Sequence, residues 1–204
     1  MGRDMTAAQL VSLFTLTLRN PREAGQHILN LRLPAQALWI GLSLVSVMTS
    51  LVFSGLMRVS PLPEDQFGQI MAGSPAYSAP LVFALMQWGR AIATVFVFFW
   101  IGRMLGGRGP LEDVLAVLTW LQAVTFVLML GLLVGGLVLP FLTSLMILAA
   151  FVWWVWAVTS LLDVAHGFES MIKSVGVLIL SLLGVTIGLS LVFGAVAGLF
   201  MGVS

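Results

Sequence analysis

The stretch that decides the fold is PLVFALMQWGRAIATVFVFFWIGRMLGGRG, residues 80–109. Between Pro80 and Gly102 its only charge is Arg90. A helix crosses a hydrocarbon core of roughly 30 Å with about 20 apolar residues, and this segment is long enough. Pro80 suits the first helical position, where its missing N–H would be unpaired anyway. Gly106-Gly107 suits a left-handed C-cap, so the segment predicts a membrane span over about 80–105.

Working outward, four more stretches have the same character, over about 34–57, 110–134, 139–164 and 171–200. Pro34 opens the first, and Pro110 with Glu112 the third, which is predicted to end near Gly135-Gly136. Pro140 stands near the start of the fourth and Gly167 just past its end. The composition agrees. The chain has 204 residues, 60% hydrophobic and 8% charged, with mean hydropathy +1.10. A soluble domain carries roughly 25% charged residues to cover its surface, so a soluble enzyme and a disordered protein are excluded. A formal net charge of +1 offers no field for a polyanion, which removes nucleic acid as a partner. With no cysteine there is no disulfide and no thiolate chemistry. The expected fold is all-α, a polytopic bundle of five transmembrane helices.

Lys and Arg near span ends set orientation. Arg19, Arg22, Arg32, Arg103, Arg108 and Lys173 fall on the side of the N-terminus, with Arg3 further from any span, and only Arg58 falls opposite. The expectation is an inner-membrane protein with a cytoplasmic N-terminus and a periplasmic C-terminus.

Residues 1–33 read as a cytoplasmic segment of one or two short amphipathic helices, separate from the 34–204 bundle. Thr6 to Gln9 has capping-box spacing, and Ala7, Leu10, Val11, Phe14 and Leu18 then share a face. Asn20-Pro21-Arg22-Glu23 is a second start signal, followed by Ala24, Ile28 and Leu31. Such helices either lie among the headgroups or pack under the bundle. The run is not a signal peptide, because polar residues interrupt it and no small-residue cleavage site follows. In the loop from Arg58 to Ala79, Pro63-Glu64-Asp65 predicts the start of a short helix ending near Gly73.

Candidates for chemistry are few. Asp163, His166 and Glu169 could in principle hold Zn²⁺, but a helix C-cap explains them better. No cofactor and no catalytic residue is expected. Glu112 and Asp113 fit a helix N-terminus. The glycines of residues 102–109 lack the strand and Lys-Ser/Thr pair of a phosphate loop, and read as a tight turn in which Arg103 and Arg108, like Arg19 and Arg22, meet headgroups. Met1 to Thr6 formally matches a myristoylation pattern, which a five-span protein does not need.

Arg90 is the charge well inside a span, ~15 Å past Pro80 at 1.5 Å per residue. Placing it there costs about 2.5–3.5 kcal/mol on the insertion scale. Gln87, Arg90 and Thr94 form one polar stripe, and Thr119, Gln122 and Thr125 lie at similar depth on the next span. No acid is assigned to the interior of a span, so no buried ion pair is expected. Arg90 is then either held by amides, hydroxyls and carbonyls to fix helix register, or it meets a lipid phosphate, a substrate anion or a partner's acid. Gly184 and Gly188, then Gly194 and Gly198, make the fifth span a close-packing helix, as Ser43, Ser46, Ser50 and Ser54 do the first. Internal packing is the expected use, a homo-oligomer seam the other.

The chain resembles bacterial members of the Yip (Ypt/Rab-interacting) membrane protein family. The resemblance rests on Asn20-Pro21-Arg22-Glu23-Ala24 before the first span, five spans with little outside them, the Gly-Arg turn through Gly109, and Ala165-His166-Gly167-Phe168 after the fourth. It implies a five-span protein; eukaryotic relatives are implicated in membrane traffic and small-GTPase binding. This sequence departs from them in its short segment before the first span, so the resemblance leaves GTPase binding open. The expectation is a non-enzymatic scaffold or trafficking-like adaptor, whose partners are the lipid bilayer and another membrane protein or a second copy. The alternative is a small-molecule or lipid translocator using Arg90 and its stripe.

Overall fold

Thr6 caps the first helix. Its side chain accepts from the Gln9 N–H while Gln9 returns to the Thr6 backbone, a reciprocal cap that starts α1, Ala7–Arg19. The computed structural model describes residues 6–59, 61–168 and 170–201, of which 140, 189 and 192–201 by backbone alone. Asn20 caps the next helix through the Glu23 N–H, and Pro21 takes its first position, giving α2, Pro21–Asn30. The long helices follow: α3, Ala35–Val59; α6, Pro80–Met104; α7, Leu111–Val138; α8, Thr143–His166; and α9, Met171–Met201. Between α3 and α6 lie α4, Gln66–Gly73, and α5, Pro75–Ser78. Among the described residues all regular structure is helical, and five helices are long and apolar enough to cross a membrane. The chain is a multi-pass membrane protein.

The five spans form a closed ring in the order α3, α6, α9, α8, α7 and back to α3, with α6 and α7 also touching across it. The ring's near face carries α1 and α2, and its far face α4 and α5. Packing is uneven along the ring axis. The core fills the near half, where Val95 and Phe98 of α6, Val114 to Leu118 and Leu121 of α7, Ala157 to Leu162 of α8 and Val177 of α9 are buried. In the far half, residues 144–149 of α8 are exposed, and α9 is exposed from Leu182 to Leu191 apart from half-buried Val185 and undescribed Leu189. Large apolar side chains exposed there are ordinary where the solvent is lipid.

Several boundaries differ from the sequence reading. Gly135-Gly136 does not end a helix: α7 runs on to Val138, and Pro140 forces the break, followed by a 3₁₀ turn at Pro140–Leu142. The glycines serve close approach, since a Cβ at Gly135 would lie 3.1 Å from Met146 Cε and one at Gly136 3.3 Å from Thr143 Oγ1. The loop helix starts at Gln66, capped by the Asp65 carboxylate, and α5 is an additional turn the sequence reading leaves as loop.

The N-terminal helices pack under the bundle. Ala24, Gly25 and Ile28 of α2 are buried against α8, where a Cβ at Gly25 would stand 3.0 Å from Leu161 Cδ2. In α1 the buried residues are Leu13 and Thr17, whereas Leu10 and Val11 of the predicted apolar face are exposed. The helix is therefore rotated from the orientation its strongest stripe suggests. Two indoles cause this: Trp120 Nε1 donates to Thr17 Oγ1 (2.8 Å), and Trp153 Nε1 donates to the Leu18 carbonyl (3.2 Å). Each removes a buried polar group from the apolar interior, and neither is visible in a helical-periodicity reading.

Candidate functional site: a polar cavity inside the bundle

The expected polar residues lie on two helices, Gln87, Arg90 and Thr94 on α6 and Gln122 and Thr125 on α7. The structure turns all five into one cavity of about 580 Å³ bounded by α3, α6, α7, α8 and α9. That volume falls within the ~300–1,000 Å³ range of ligand pockets. Its floor is the packed near half, including Phe98, Leu118, Leu121 and Val158. Ser46, Thr49 and Ser50 of α3 and Thr186 and Ser190 of α9 add hydroxyls from the other walls.

Arg90 Nε donates to Gln87 Oε1 (3.1 Å), one turn back on the same helix. Among the described residues this is the one side-chain partner of the guanidinium, and Arg90 is among the residues that line the cavity. Gln122 does not reach it. Its Oε1 accepts instead from Ser46 Oγ (3.0 Å), tying α7 to α3. Several hydroxyls donate back to their own helices: Thr94 to the Arg90 carbonyl (2.7 Å), Thr125 to Leu121 (2.8 Å), Ser50 to Ser46 (2.7 Å) and Thr186 to Leu182 (2.8 Å). Such bonds engage the proton and leave oxygen lone pairs free as acceptors. Thr119 lies outside the cavity and points to the Leu38 carbonyl.

A second polar centre lies at the near face. The expectation of no acid within a span, and so no buried ion pair, is corrected by Asp163. It is a member of α8, its side chain is fully buried, and Arg22 Nη2 of α2 lies 2.9 Å from its Oδ2, an ion pair without hydrogen-bond alignment. Oδ1 accepts from the Ser170 N–H (3.1 Å) and from Ser174 Oγ (3.3 Å). One carboxylate thereby joins α2, α8 and the start of α9. Arg22 keeps half of its side chain exposed. Arg19, Arg103 and Arg108 are exposed on the same face, Arg103 beside the Phe99 ring at 5.9 Å.

His166 is also buried, but it meets glycines. A Cβ on Gly102 would collide with its ring, one on Gly107 would lie 2.7 Å from Nδ1, and one on Gly109 would overlap the Ala165 carbonyl oxygen. The Arg108 N–H donates to the His166 carbonyl (3.0 Å), and Phe168 lies against the ring at 5.1 Å. The cap itself is Gly167, at φ 64°. The glycines of residues 102–109 are thus a socket for the end of α8. Among the described residues no three His, Cys, Asp or Glu gather around a metal-sized site, and Glu169 lies outside them.

Of the expected packing glycines, Gly184 faces Val97 and Ile101 of α6, whereas a Cβ at Gly188 would meet nothing within 4 Å. Gly194 and Gly198 belong to α9 but their surroundings lie outside the described residues. The same holds for residues 1–5, which carry the myristoylation-like pattern.

The family model described as the Yip1 domain matches residues 15–201. The chain belongs to the Yip1-domain family. No curated protein and no solved structure matches it. The matched residues run from the middle of α1 to the end of α9 and include Arg90, Asp163 and His166.

Proposed function

We propose that this Yip1-domain protein is a non-catalytic membrane protein that binds an anionic ligand within its bundle, and acts as a carrier or translocator through Arg90, Gln87, Thr94, Gln122 and Thr125. The observation that carries the reading is the open guanidinium. Arg90 lines a cavity of about 580 Å³, and among the described residues no acid lines it. A register-fixing arginine would be enclosed by its own bundle, because an unshared charge at this depth is costly. Here its one side-chain hydrogen bond among the described residues runs from Nε to Gln87, and the residue lines the cavity. The near half is closed by the core and the far half is loosely packed, which supports entry from the far side.

The exposed Arg19, Arg22, Arg103 and Arg108 support a cytoplasmic near face in a bacterial inner membrane and contact with headgroups there. The scaffold or adaptor reading draws on α1, whose Leu10 and Val11 stay exposed beside these arginines. Purification in mild detergent followed by native mass spectrometry separates the two. The carrier reading expects a bound anionic species in the wild type, lost in Arg90→Met at unchanged melting temperature. A wild-type protein with nothing bound, or a ligand unaffected by Arg90→Met, overturns it.

A further inference from the structure

The walls of the Arg90 cavity specify more than charge. We infer that its ligand is a singly anionic phosphodiester whose head bears hydroxyl groups, as in a polyol phospholipid; the inference rests on the anion-binding reading of the cavity. Three observations carry it. The Nε of Arg90 is engaged by Gln87, so the remaining edge is a two-nitrogen fork suited to a pair of phosphate oxygens. Among the described residues Arg90 is the one cation lining the cavity, enough for one negative charge and not for a polyphosphate. Around it the hydroxyls of Ser50, Thr94, Thr125 and Thr186 have their protons committed to backbone carbonyls, so they present acceptors.

These acceptors stand beside the amide N–H groups of Gln87 and Gln122, whose oxygens are the engaged atoms, so the lining calls for ligand groups that both donate and accept. Ammonium and hydroxyl groups are both donors, but among the described residues no carboxylate lines the cavity to balance an ammonium, and Arg90 would repel one. Hydroxyls meet the acceptors without that charge conflict. A choline head has no donor at all. The expected order is therefore phosphatidylglycerol, then phosphatidylethanolamine, then phosphatidylcholine. The apolar part of the lining, with Phe126, Met129 and Trp154 toward the far half, suits the first part of the chains. The rest would leave past the exposed residues of α9 between Leu182 and Leu191.

The test uses the full chain in detergent, stripped of lipid and offered an equimolar mixture of the three lipids, with binding read by native mass spectrometry. The expected result is about tenfold preference for phosphatidylglycerol over phosphatidylcholine, the scale of one or two net hydrogen bonds. The double variant T94V/T125V should reduce that preference to about unity while still binding phosphate-bearing lipids, and Arg90→Met should weaken all three. Glycerophosphoglycerol, the same head without chains, is the second arm. Competition by it assigns the site to free phosphodiesters; no competition assigns it to the lipid. Equal binding of all three lipids with Arg90 dependence intact overturns the hydroxyl assignment alone. Binding independent of Arg90 overturns the cavity reading with it. Should T94V/T125V fail to fold, Thr186→Val on the exposed part of α9 carries the same test, with a partial loss of preference expected and an unchanged preference overturning the inference.

Discussion

Arg22 and Asp163 stand 141 positions apart in sequence and 2.9 Å apart in space, the guanidinium half in solvent and the carboxylate fully buried. This pair fastens the N-terminal helices to the membrane bundle. Its asymmetry decides which partner matters more. Losing Arg22 leaves a buried carboxylate with two remaining donors, while losing the charge of Asp163 leaves an arginine that water can solvate.

Arg22→Met should therefore destabilise the protein by about 1–3 kcal/mol, the cost of an under-satisfied buried polar group. That is less than the ~3–5 kcal/mol of a fully buried broken pair, because half of Arg22 is already hydrated. Adding Asp163→Asn should restore part of the loss. Thermal unfolding in detergent, together with protease access at residues 19–22, measures both effects. Additive losses in the double variant would show that the pair is not coupled.

Glycine substitutions should divide sharply. Gly109→Ala places a methyl on the Ala165 carbonyl oxygen and Gly102→Ala one in the His166 ring, so both should sharply lower the yield of folded protein. Gly188→Ala meets open space within a helix and should stay within about 0.5 kcal/mol of wild type. Yield of monodisperse protein on size exclusion distinguishes them.

The two apolar faces of α1 should respond differently. Leu13→Asp inserts a charge where α1 meets the bundle and should release the helix to protease near Arg19. Leu10→Asp lies on the exposed face and should leave that protection unchanged. Its effect should appear instead as weaker contact with anionic vesicles in a quenching assay. Equal release by both substitutions would contradict the rotation of α1.

Thr17→Val removes the acceptor of the Trp120 indole and should cost about 1 kcal/mol. Trp120→Phe in the same background should add little more. A melting-temperature cycle over the four proteins gives the coupling directly.

Topology has its own check. A reporter joined after Ser204 should lie on the opposite membrane side from one joined before Met1, as an odd number of spans requires. The 105–110 turn is unsuitable for an insertion, since it forms the socket of His166.

The membrane class, the five spans and the polar stripe on α6 were determined by the sequence alone, because hydrocarbon imposes length and apolarity on each segment independently of its neighbours. The capping of α1 and α2 was legible for a similar reason: Thr6 and Asn20 act on backbone groups within three residues. What only the tertiary structure decided depends on partners distant in sequence. Gly135-Gly136 looked like a stop because glycine often is one, yet here it admits Met146 and Thr143 of α8. Asp163 looked like a helix-end acid until Arg22 came within reach. The Gly-Arg turn looked like a surface loop until His166 filled it. The stripe on α6 became one wall of a cavity only when the ring brought hydroxyls from α3, α7 and α9 around Arg90. Periodicity assigns a residue to a face of its own helix; which neighbour that face meets is settled by side-chain packing across the ring, a sum of contacts that no single segment contains.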